Sequence, residues 1–292
     1  MLASEKYDGV RTIIMDGVAY SRMMIPLHDV FQKRFKPFLD KTIGTEHVFD
    51  CEIFNPDATF QQITSSIANE DGVPLKLYAF DYLTKEEWFS ASVTEYLDRC
   101  INLGCVIGKL DPNWEYIRIA QQKICDTRRE IEEYFNEVLE RGGEGLMLRS
   151  PSQLYKHGRS TAKQGDFLKL KDFQTLDGII VGYNQKARLT EEAKEYITDK
   201  DAFGRSKRGH RKDDRELVDE IGSVIVKITQ EPFLDEECGC MWKKGSPVRT
   251  MITWNNKESF VGKHVEIEFQ PCGSKDLPRI GRIIRLRPDL DN

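Results

Sequence analysis

The sequence has no apolar run of about 18 residues that could cross a membrane, and no paired-cysteine motif of the kind that holds zinc. Its first ten residues, MLASEKYDGV, lack both the basic start and the apolar core of a secretory signal. The seven cysteines are an odd number and are scattered along the chain. We therefore expect a cytoplasmic protein with reduced thiols, no zinc and no membrane partner.

The composition also lacks the bias of a disordered or fibrous chain. Of 292 residues, 39% are hydrophobic and 31% are charged, which is typical of a folded protein of about two domains. The 43 basic residues against 48 acidic ones give a net charge of −5, which argues against unspecific coating of nucleic acid. From Gln174 onward the counts are 21 and 21, so the acidic excess lies in the first part.

The first part of the chain alternates strand-like and helix-like patterns. Apolar residues flank Asp16-Gly17, which predicts a β-hairpin. HVFDCEIF, VPLKLYAFDYL, GLMLR and FLKLK are also predicted strands. Thr127 and Glu130 form a capping box in front of an apolar stripe, which predicts a helix over 127–141.

After Lys171 short β segments alternate with Gly, Pro and charged loops. They predict a small antiparallel barrel, of which the five-stranded oligonucleotide-binding (OB) fold is a common type, and they place the domain boundary between residues 173 and 174. The stretch LDEECGC, with Cys238 and Cys240, is interpreted as a surface hairpin rather than a metal site. The five predicted strands cover residues 177–183, 223–229, 250–254, 263–269 and 280–286.

Several charged residues lie on or beside apolar strands, where an unpaired charge is costly. Glu52, Glu144, Lys169 and Lys171 have this setting, and Lys6 lies in KYDGVR directly before the predicted hairpin. Strands that face one cavity would gather a lysine nucleophile, two carboxylates for a metal and two lysines for phosphates. A surface turn at Lys6 and a partly exposed edge strand at FLKLK are the alternatives.

Taken in order, KYDGVR, SR, DCEIF, YAFDY, EGLMLR, FLKLK and RIGRIIRLRPD resemble the motif series of ATP-dependent DNA ligases of the small viral and phage type, which are covalent nucleotidyltransferases. The resemblance runs from Lys6 to Asp289. It implies an α+β protein with an antiparallel-sheet, ATP-grasp-like nucleotidyltransferase domain at 1–173 and an OB-fold β-barrel at 174–292. It further implies ATP and Mg²⁺ as cofactors and nicked double-stranded DNA as the partner of a monomeric enzyme.

The resemblance also implies a role for each charged motif residue. Lys6 would attack the α-phosphate of ATP, AMP would pass to the 5′-phosphate of a nick, and the 3′-hydroxyl would displace AMP. A free lysine, with a pKa of about 10.4, is only about 0.1% deprotonated near pH 7.4, so the site has to lower this pKa. Lys169 and Lys171 would hold the α-phosphate, and Glu52 and Glu144 would bind the magnesium.

The nucleotide contacts implied by the resemblance fall into two groups. Glu5, Arg11, Arg22 and Phe80 would surround the nucleotide or the nick, with Phe80 stacked on adenine unless it is an ordinary core residue. A terminal arginine cluster would orient the pyrophosphate, unless it contacts only DNA. Three positions depart from the family pattern: Cys51 replaces the usual Gly, Gly281 the common Pro and Leu290 the usual Lys. The cluster consists of Arg279, Arg282, Arg285 and Arg287.

The insertion over 185–219 is predicted to be an added DNA clamp, because residues 203–215 are strongly basic. The alternative is an ordinary solvated loop. The predicted DNA contacts are Arg22, Arg205, Lys207, Arg208 and Arg211.

Two other functions remain open at this point. An RNA ligase or an mRNA capping guanylyltransferase would share the lysine and carboxylate motifs, although RNA ligases commonly lack the barrel with its arginines. A noncatalytic nucleic-acid-binding protein could use the barrel as a single-strand platform. That last function would leave Lys6, Glu52 and Glu144 without a role.

Overall fold

The chain divides into two compact units. The computed structural model describes residues 1–158, 160–196, 212–271 and 277–287. The first unit contains Met1–Lys171, and the second begins at Asp172. In the described part of the chain, no helix has the length and apolar character needed to span a membrane.

The first unit is a mixed α+β structure built on two sheets. A five-stranded sheet has the order β3-β2-β4-β5-β6 and a four-stranded sheet the order β7-β1-β8-β9. The strands are β1 (Leu2–Glu5), β2 (Val10–Met15), β3 (Val18–Ser21), β4 (His47–Phe54), β5 (Lys76–Thr84), β6 (Ile117–Ile119), β7 (Lys123–Ile124), β8 (Gly145–Arg149) and β9 (Phe167–Lys171). The helices are α1 (Asp29–Leu39), α2 (Phe60–Ser66), α3 (Lys85–Phe89), α4 (Tyr96–Leu110) and α5 (Arg128–Glu140).

The local signals in the first part correspond to observed elements. Asp16 and Gly17 have φ values of 53° and 79°, the left-handed conformations that a tight hairpin turn requires, and they join β2 to β3. Thr127 caps α5 through the predicted capping box with Glu130. The predicted strands GLMLR and FLKLK are β8 and β9, which pair antiparallel.

One face of the five-stranded sheet forms the main core of this unit. Phe31 and Phe35 of α1 pack there with Cys51 and Ile53 of β4, and all four are nearly inaccessible to solvent. Each buried phenylalanine contributes about 1.5–3 kcal/mol relative to an exposed one. Since side chains alternate along a strand, the residues between these core positions of β4 face the other way, and they belong to the site described below.

The described part of the second unit contains five strands in the order β10-β11-β12-β14-β13. The order closes on itself because β13 also pairs with β10. All pairs are antiparallel except β12 with β14. An odd number of strands cannot alternate in direction all the way round a closed ring, so one parallel pair is required. The elements are β10 (Gln174–Leu189), α6 (Glu191–Tyr196), β11 (Arg215–Ile228), β12 (Glu237–Trp242), α7 (Val248–Met251), β13 (His264–Gln270) and β14 (Arg279–Leu286).

One prediction in this unit was wrong, and another was correct only in part. The predicted strand over 250–254 is the end of α7 and the loop after it, because Val248 and Ile252 lie at helical spacing and both are buried. The stretch LDEECGC does belong to a hairpin, because β12 pairs antiparallel with β11 directly before it, but the alternating Cys238 and Cys240 side chains are buried in the core of the unit rather than at the surface. The two thiols are free and their Sγ atoms are 3.5 Å apart.

Candidate active site

Lys6 lies in the loop between β1 and β2, at the edge where the two sheets of the first unit meet a common cavity. Its backbone N–H donates to the carbonyl oxygen of Gly145 over 2.8 Å, which fixes the loop to β8. Gly9 ends the loop, and a Cβ atom there would collide with the carbonyl oxygen of Ile53 and the side chain of Glu52. The KxDG pattern therefore supplies a lysine on a tight loop that approaches β4 closely.

The carboxylate of Glu144 lies between two lysines. Its Oε2 atom accepts from Lys6 Nζ and its Oε1 atom accepts from Lys171 Nζ. Burial alone would raise the pKa of Glu144, but the charges and hydrogen bonds of Lys6 and Lys171 outweigh it and hold this pKa below its ordinary value. The Glu144 side chain is only 2% exposed, so the three residues form one partly buried charged cluster.

Lys171 is the last residue of β9, and its side chain lies on the face of the strand that reaches Glu144. Burial lowers its pKa, and the positive charges of Lys6 and Lys169 lower it further, while Glu144 acts in the opposite direction. Lys169 lies on the same face of β9, two residues earlier, and is exposed. Of the two predicted phosphate lysines, the structure thus brings Lys171 to the carboxylate that also binds Lys6, and leaves Lys169 exposed to solvent.

Glu52 on β4 lines the cavity itself and has a different environment from Glu144. Burial raises its pKa to about 8, and the nearby Asp50 and Glu144 add to this effect, while Lys6 and Arg11 oppose it. Arg11 is its cross-strand neighbour on β2, but the Arg11 guanidinium bonds to Asp50 instead. Within the described ranges, the Glu52 carboxylate has no hydrogen bond or ion pair.

Asp50 holds Arg11 in place together with a tyrosine from a loop. The Asp50 carboxylate accepts from Arg11 Nε over 2.8 Å, from Arg11 Nη2 over 2.5 Å and from the Tyr155 hydroxyl over 2.9 Å. Arg11 Nη2 also donates to the Tyr155 hydroxyl over 3.0 Å. This closed triangle fixes the guanidinium plane of Arg11, whose side chain remains 42% exposed.

Phe80 reaches the cavity through an irregularity in β5. Asp50 pairs with Asp81 and Cys51 pairs with Ala79, so Phe80 is the extra residue of a bulge, and both Phe80 and Asp81 line the cavity. The cavity has a volume of about 260 Å³. Cys51, at the position where the family usually has glycine, points into the core and does not line it.

A buried ion network forms the wall behind Phe80. Asp81 accepts from Arg149 over 2.6 Å and from Arg99 over 2.7 Å. The Arg149 guanidinium lies 5.2 Å from the ring centre of Phe80 and 4.2 Å from that of Phe167. The cavity wall therefore presents an aromatic face supported by a fixed cation.

Two further predicted residues lie at the edges of the cavity. Glu5 lines it, but its carboxylate pairs with Arg141 at 2.8 Å. Arg22 is exposed and borders an adjoining cleft of about 210 Å³ that is also lined by Arg11 and Glu52. Because the cavity and the cleft share these two side chains, a bound molecule could extend from one into the other.

The predicted arginine cluster belongs to the second unit, and three of its four members pair with carboxylates of that unit. Arg285 Nε bonds to Glu266 over 2.5 Å, and Arg287 Nε bonds to Asp177 over 2.8 Å. Arg282 lies 3.9 Å from Glu268, and Arg279 on the same strand has a partner as well.

The predicted DNA contacts Arg205, Lys207, Arg208 and Arg211 lie outside the described residues. In the part of the chain that is described, no group of three or more His, Cys, Asp or Glu side chains could form a complete metal site.

Sequence reasoning missed Tyr155, Asp81 and Arg149 as site residues. Asp81 lies within YAFDY and Arg149 within EGLMLR. Because a charge on an apolar strand needs a partner, the sequence did indicate that these two residues would form an ion pair. Tyr155 had none, because it lies in a polar loop that returns to Asp50 from 105 residues away.

Comparison with known proteins identifies the family to which the chain belongs. The family model described as "ATP dependent DNA ligase domain" matches residues 1–171, which is more than half of the chain. The chain therefore belongs to the ATP-dependent DNA ligase family, and its activity is that of a DNA ligase enzyme that uses ATP.

Individual relatives are distant in sequence. A DNA ligase of Haemophilus influenzae is 26% identical over 235 residues, covering 76% of this chain and 78% of the relative. A DNA ligase of Archaeoglobus fulgidus is 25% identical over 189 residues, covering 61% of this chain and 30% of the relative. A solved Lig E DNA ligase structure has a TM-score of 0.65 at 18% identity and covers 98% of this chain and 92% of that one, which shows a shared α+β fold rich in antiparallel sheet.

Proposed function

We propose that this ligase seals nicks in double-stranded DNA through a covalent AMP adduct on Lys6. The observation that carries the proposal is the Glu144 carboxylate between Lys6 and Lys171. It holds the Lys6 amine at a cavity with an aromatic wall, and it keeps a second cation beside the amine. A cavity built in this way fits a nucleotide whose α-phosphate lies next to Lys6.

In the first step, Lys6 Nζ forms a bond to the α-phosphorus of ATP, and the bond from that phosphorus to the bridging oxygen breaks to release pyrophosphate. One proton of the Lys6 ammonium must leave before the nitrogen can attack. Lys171 then exchanges part of its contact with Glu144 for the α-phosphate oxygens, where its charge stabilises the transition state. Lys169, which is exposed, would stabilise the phosphate charge from a greater distance.

In the later steps, the 5′-phosphate of the nick takes AMP from Lys6, and the 3′-hydroxyl then attacks that phosphate and releases AMP. Arg22 borders the cleft next to the cavity, so it is placed to hold a phosphate of the nicked strand. Arg11, fixed by Asp50 and Tyr155, would contact the ribose or the phosphate of AMP. Phe80 would stack on adenine, and Glu5 would line the same pocket.

Magnesium would bind at Glu52, and its charge would neutralise the phosphate oxygens during transfer. The raised pKa of Glu52 and its lack of a cationic partner among the described residues fit such a ligand. Glu144 would become available as a second ligand when Lys6 loses its charge on bonding to phosphorus.

The remaining assignments extend to the second unit. We assign residues 1–173 to an adenylation domain of the nucleotidyltransferase type and residues 174–292 to an OB-fold barrel, since the strand order closes on itself. Arg279, Arg282, Arg285 and Arg287 would act on pyrophosphate after exchanging their carboxylate partners. The basic residues Arg205, Lys207, Arg208 and Arg211 would contact DNA, and the enzyme would act as a monomer in the cytoplasm.

The experiment uses Lys6→Ala, with Lys33→Ala of α1 as a matched surface control. With Mg²⁺ and α-labelled ATP we expect no labelled protein and no sealing of a plain nick, while a nick already carrying AMP on its 5′-phosphate is still sealed. Only the first step needs the lysine as nucleophile. Equal loss of both sealing reactions, with Lys33→Ala active, would contradict the proposed role of Lys6.

A further inference from the structure

Three consecutive apolar residues directly after Arg22 are exposed to solvent. Met23 is 41% exposed, and Met24 and Ile25 are each 37% exposed. Single exposed apolar side chains are common on protein surfaces, but an uninterrupted run of three is unusual unless it serves binding. We call Met23, Met24 and Ile25 the apolar ridge.

The apolar ridge is held rigidly by Ser21, which is buried. The Ser21 N–H donates to the carbonyl oxygen of Ile25 over 2.8 Å, and the Ser21 carbonyl oxygen accepts from the Met24 N–H over 2.8 Å. The Ser21 hydroxyl also accepts from the N–H groups of Met23 and Ile25 over 3.3 and 3.4 Å. The exposure of the ridge is therefore built into the fold.

Met24 adopts a backbone conformation that methionine rarely takes. Its φ is 57°, in the left-handed region that is unfavourable for a non-glycine residue. Glycine or asparagine would relieve this cost, so the methionine is present against local preference. A residue kept against its backbone preference at the surface is a pointer to a function of its side chain.

The position of the ridge identifies its partner. Arg22, its immediate neighbour, borders the cleft that shares Arg11 and Glu52 with the nucleotide cavity. Under the proposed function, a nick whose 5′-phosphate reaches the AMP on Lys6 lies along this cleft. The strand that enters carries phosphates alternating with deoxyribose rings, whose C–H edges are apolar.

We propose that the apolar ridge packs against deoxyribose edges of the nicked strand beside the 5′-phosphate, while Arg22 holds a neighbouring phosphate. This inference rests on the proposed function, because it needs the nick to lie at the cleft. Apolar packing adds affinity without releasing counterions from DNA. Loss of the ridge should therefore weaken nick binding at every salt concentration by the same factor.

The test combines Met23→Gln with Met24→Asn. Asparagine tolerates the left-handed conformation, and both changes replace an apolar side chain by a polar one of similar or smaller size. We expect nick binding to weaken about tenfold, with the slope of log affinity against log salt unchanged. Sealing of a nick that already carries AMP should slow to a similar degree at low nick concentration, and AMP labelling of the protein should stay at the wild-type rate.

Two matched variants complete the design. Arg22→Gln should lower the salt slope by about one, because it removes a phosphate contact. Ile101→Gln changes another exposed apolar residue, on α4, and should leave nick affinity unchanged.

Nick affinity of the double variant within about twofold of wild type would overturn the inference, as would a slope that falls as it does for Arg22→Gln. A change in sedimentation with unchanged nick affinity would overturn it too, and would assign the ridge to a second copy of the chain. Failure of wild-type protein to form the Lys6 adduct would instead contradict the proposed function.

Discussion

Glu144 and Glu52 are two carboxylates of the candidate active site with opposite environments: Glu52 lines the cavity, and Glu144 bonds to Lys6, which lines it. Two lysines surround Glu144 and hold its pKa below the ordinary value. Glu52 has no such partner among the described residues, and burial raises its pKa to about 8. The charge of Glu144 is thus compensated within the protein, whereas under the proposed function the charge of Glu52 would be compensated by a cation that arrives with the substrate.

The two carboxylates are expected to affect the free energy of unfolding in opposite directions. A buried carboxylate with good cationic partners is tolerated, but an uncompensated one destabilises the folded state. We therefore expect the ionised Glu52 carboxylate to reduce the stability of the unliganded protein. Substitutions at the two positions should separate folding from catalysis.

The largest effect is expected for Glu144→Gln. The neutral amide loses both ion pairs and leaves Lys6 and Lys171 without a counter-charge, so AMP labelling of the protein should slow about 10²–10³-fold. Since the folded-state pKa of Glu144 is lowered, its contribution to stability is present above the unfolded pKa and lost as pH falls through the folded pKa.

Rapid-quench labelling and thermal unfolding at pH 7 and at acid pH would measure both consequences. Glu144→Gln should be less stable than wild type at pH 7 and equally stable at acid pH. The exposed Glu137→Gln of α5 is the control and should change neither quantity. If Glu144→Gln were labelled with AMP at the wild-type rate, the proposed difference in role between Glu144 and Glu52 would be contradicted.

A smaller loss of activity, about 10–10²-fold, is expected for Glu52→Gln, together with a gain in stability. Between pH 4.5 and about 8 the folded protein retains a proton on Glu52 that the unfolded chain releases. The contribution of Glu52 to stability therefore falls as pH rises through this window and stays low above it. The neutral amide of the variant avoids this cost, so the melting temperature at pH 8.5 should rise by about 2–5 °C.

Calorimetry at pH 6 and 8.5 would check this prediction, with the Mg²⁺ dependence of AMP labelling as the functional readout. Wild type should need less Mg²⁺ at higher pH, because no proton has to be displaced, and Glu52→Gln should lose this pH dependence. A variant that is less stable than wild type at pH 8.5 would show that Glu52 is compensated within the protein.

The smallest effect is expected for Tyr155→Phe. The ring remains, but the hydroxyl that donates to Asp50 and accepts from Arg11 is lost, which costs about 1 kcal/mol. Arg11 keeps both bonds to Asp50, so we expect the KM for ATP to rise about fivefold with kcat nearly unchanged. Steady-state labelling kinetics would measure this change.

Tyr183→Phe in the second unit is the matched control, because its buried hydroxyl has no hydrogen-bond partner in the described structure. It should not alter the KM for ATP. An equal effect of both tyrosine changes would remove Tyr155 from the site.

The elements that sequence predicted correctly are those with a local cause. The Asp16-Gly17 turn and the Thr127 capping box are fixed by a few neighbouring residues. The strand β12 was missed because the acidic and glycine-containing stretch LDEECGC has weak strand propensity, whereas the strand forms by pairing with the neighbouring β11 and the distant β14.

The candidate site could be predicted as a set of residues but not as a set of contacts. The motifs indicated Lys6, Glu52, Glu144 and Lys171, yet no local pattern distinguishes a paired from an unpaired carboxylate. For Glu52 the distinction depends on which carboxylate the Arg11 guanidinium bonds to. Arg11 bonds to Asp50, which also accepts a hydrogen bond from Tyr155. Tertiary geometry decides this competition.

The most direct measurement is to locate the AMP on the protein by peptide mass spectrometry after reaction with ATP and Mg²⁺ in the absence of DNA. Lys6, Lys169 and Lys171 are the three candidate lysines, and only Lys6 lies on the loop that Gly9 brings against β4. We expect AMP on the peptide containing Lys6 and on neither of the others. AMP on Lys171, or no covalent AMP at all, would contradict the assignment of Lys6 as the nucleophile.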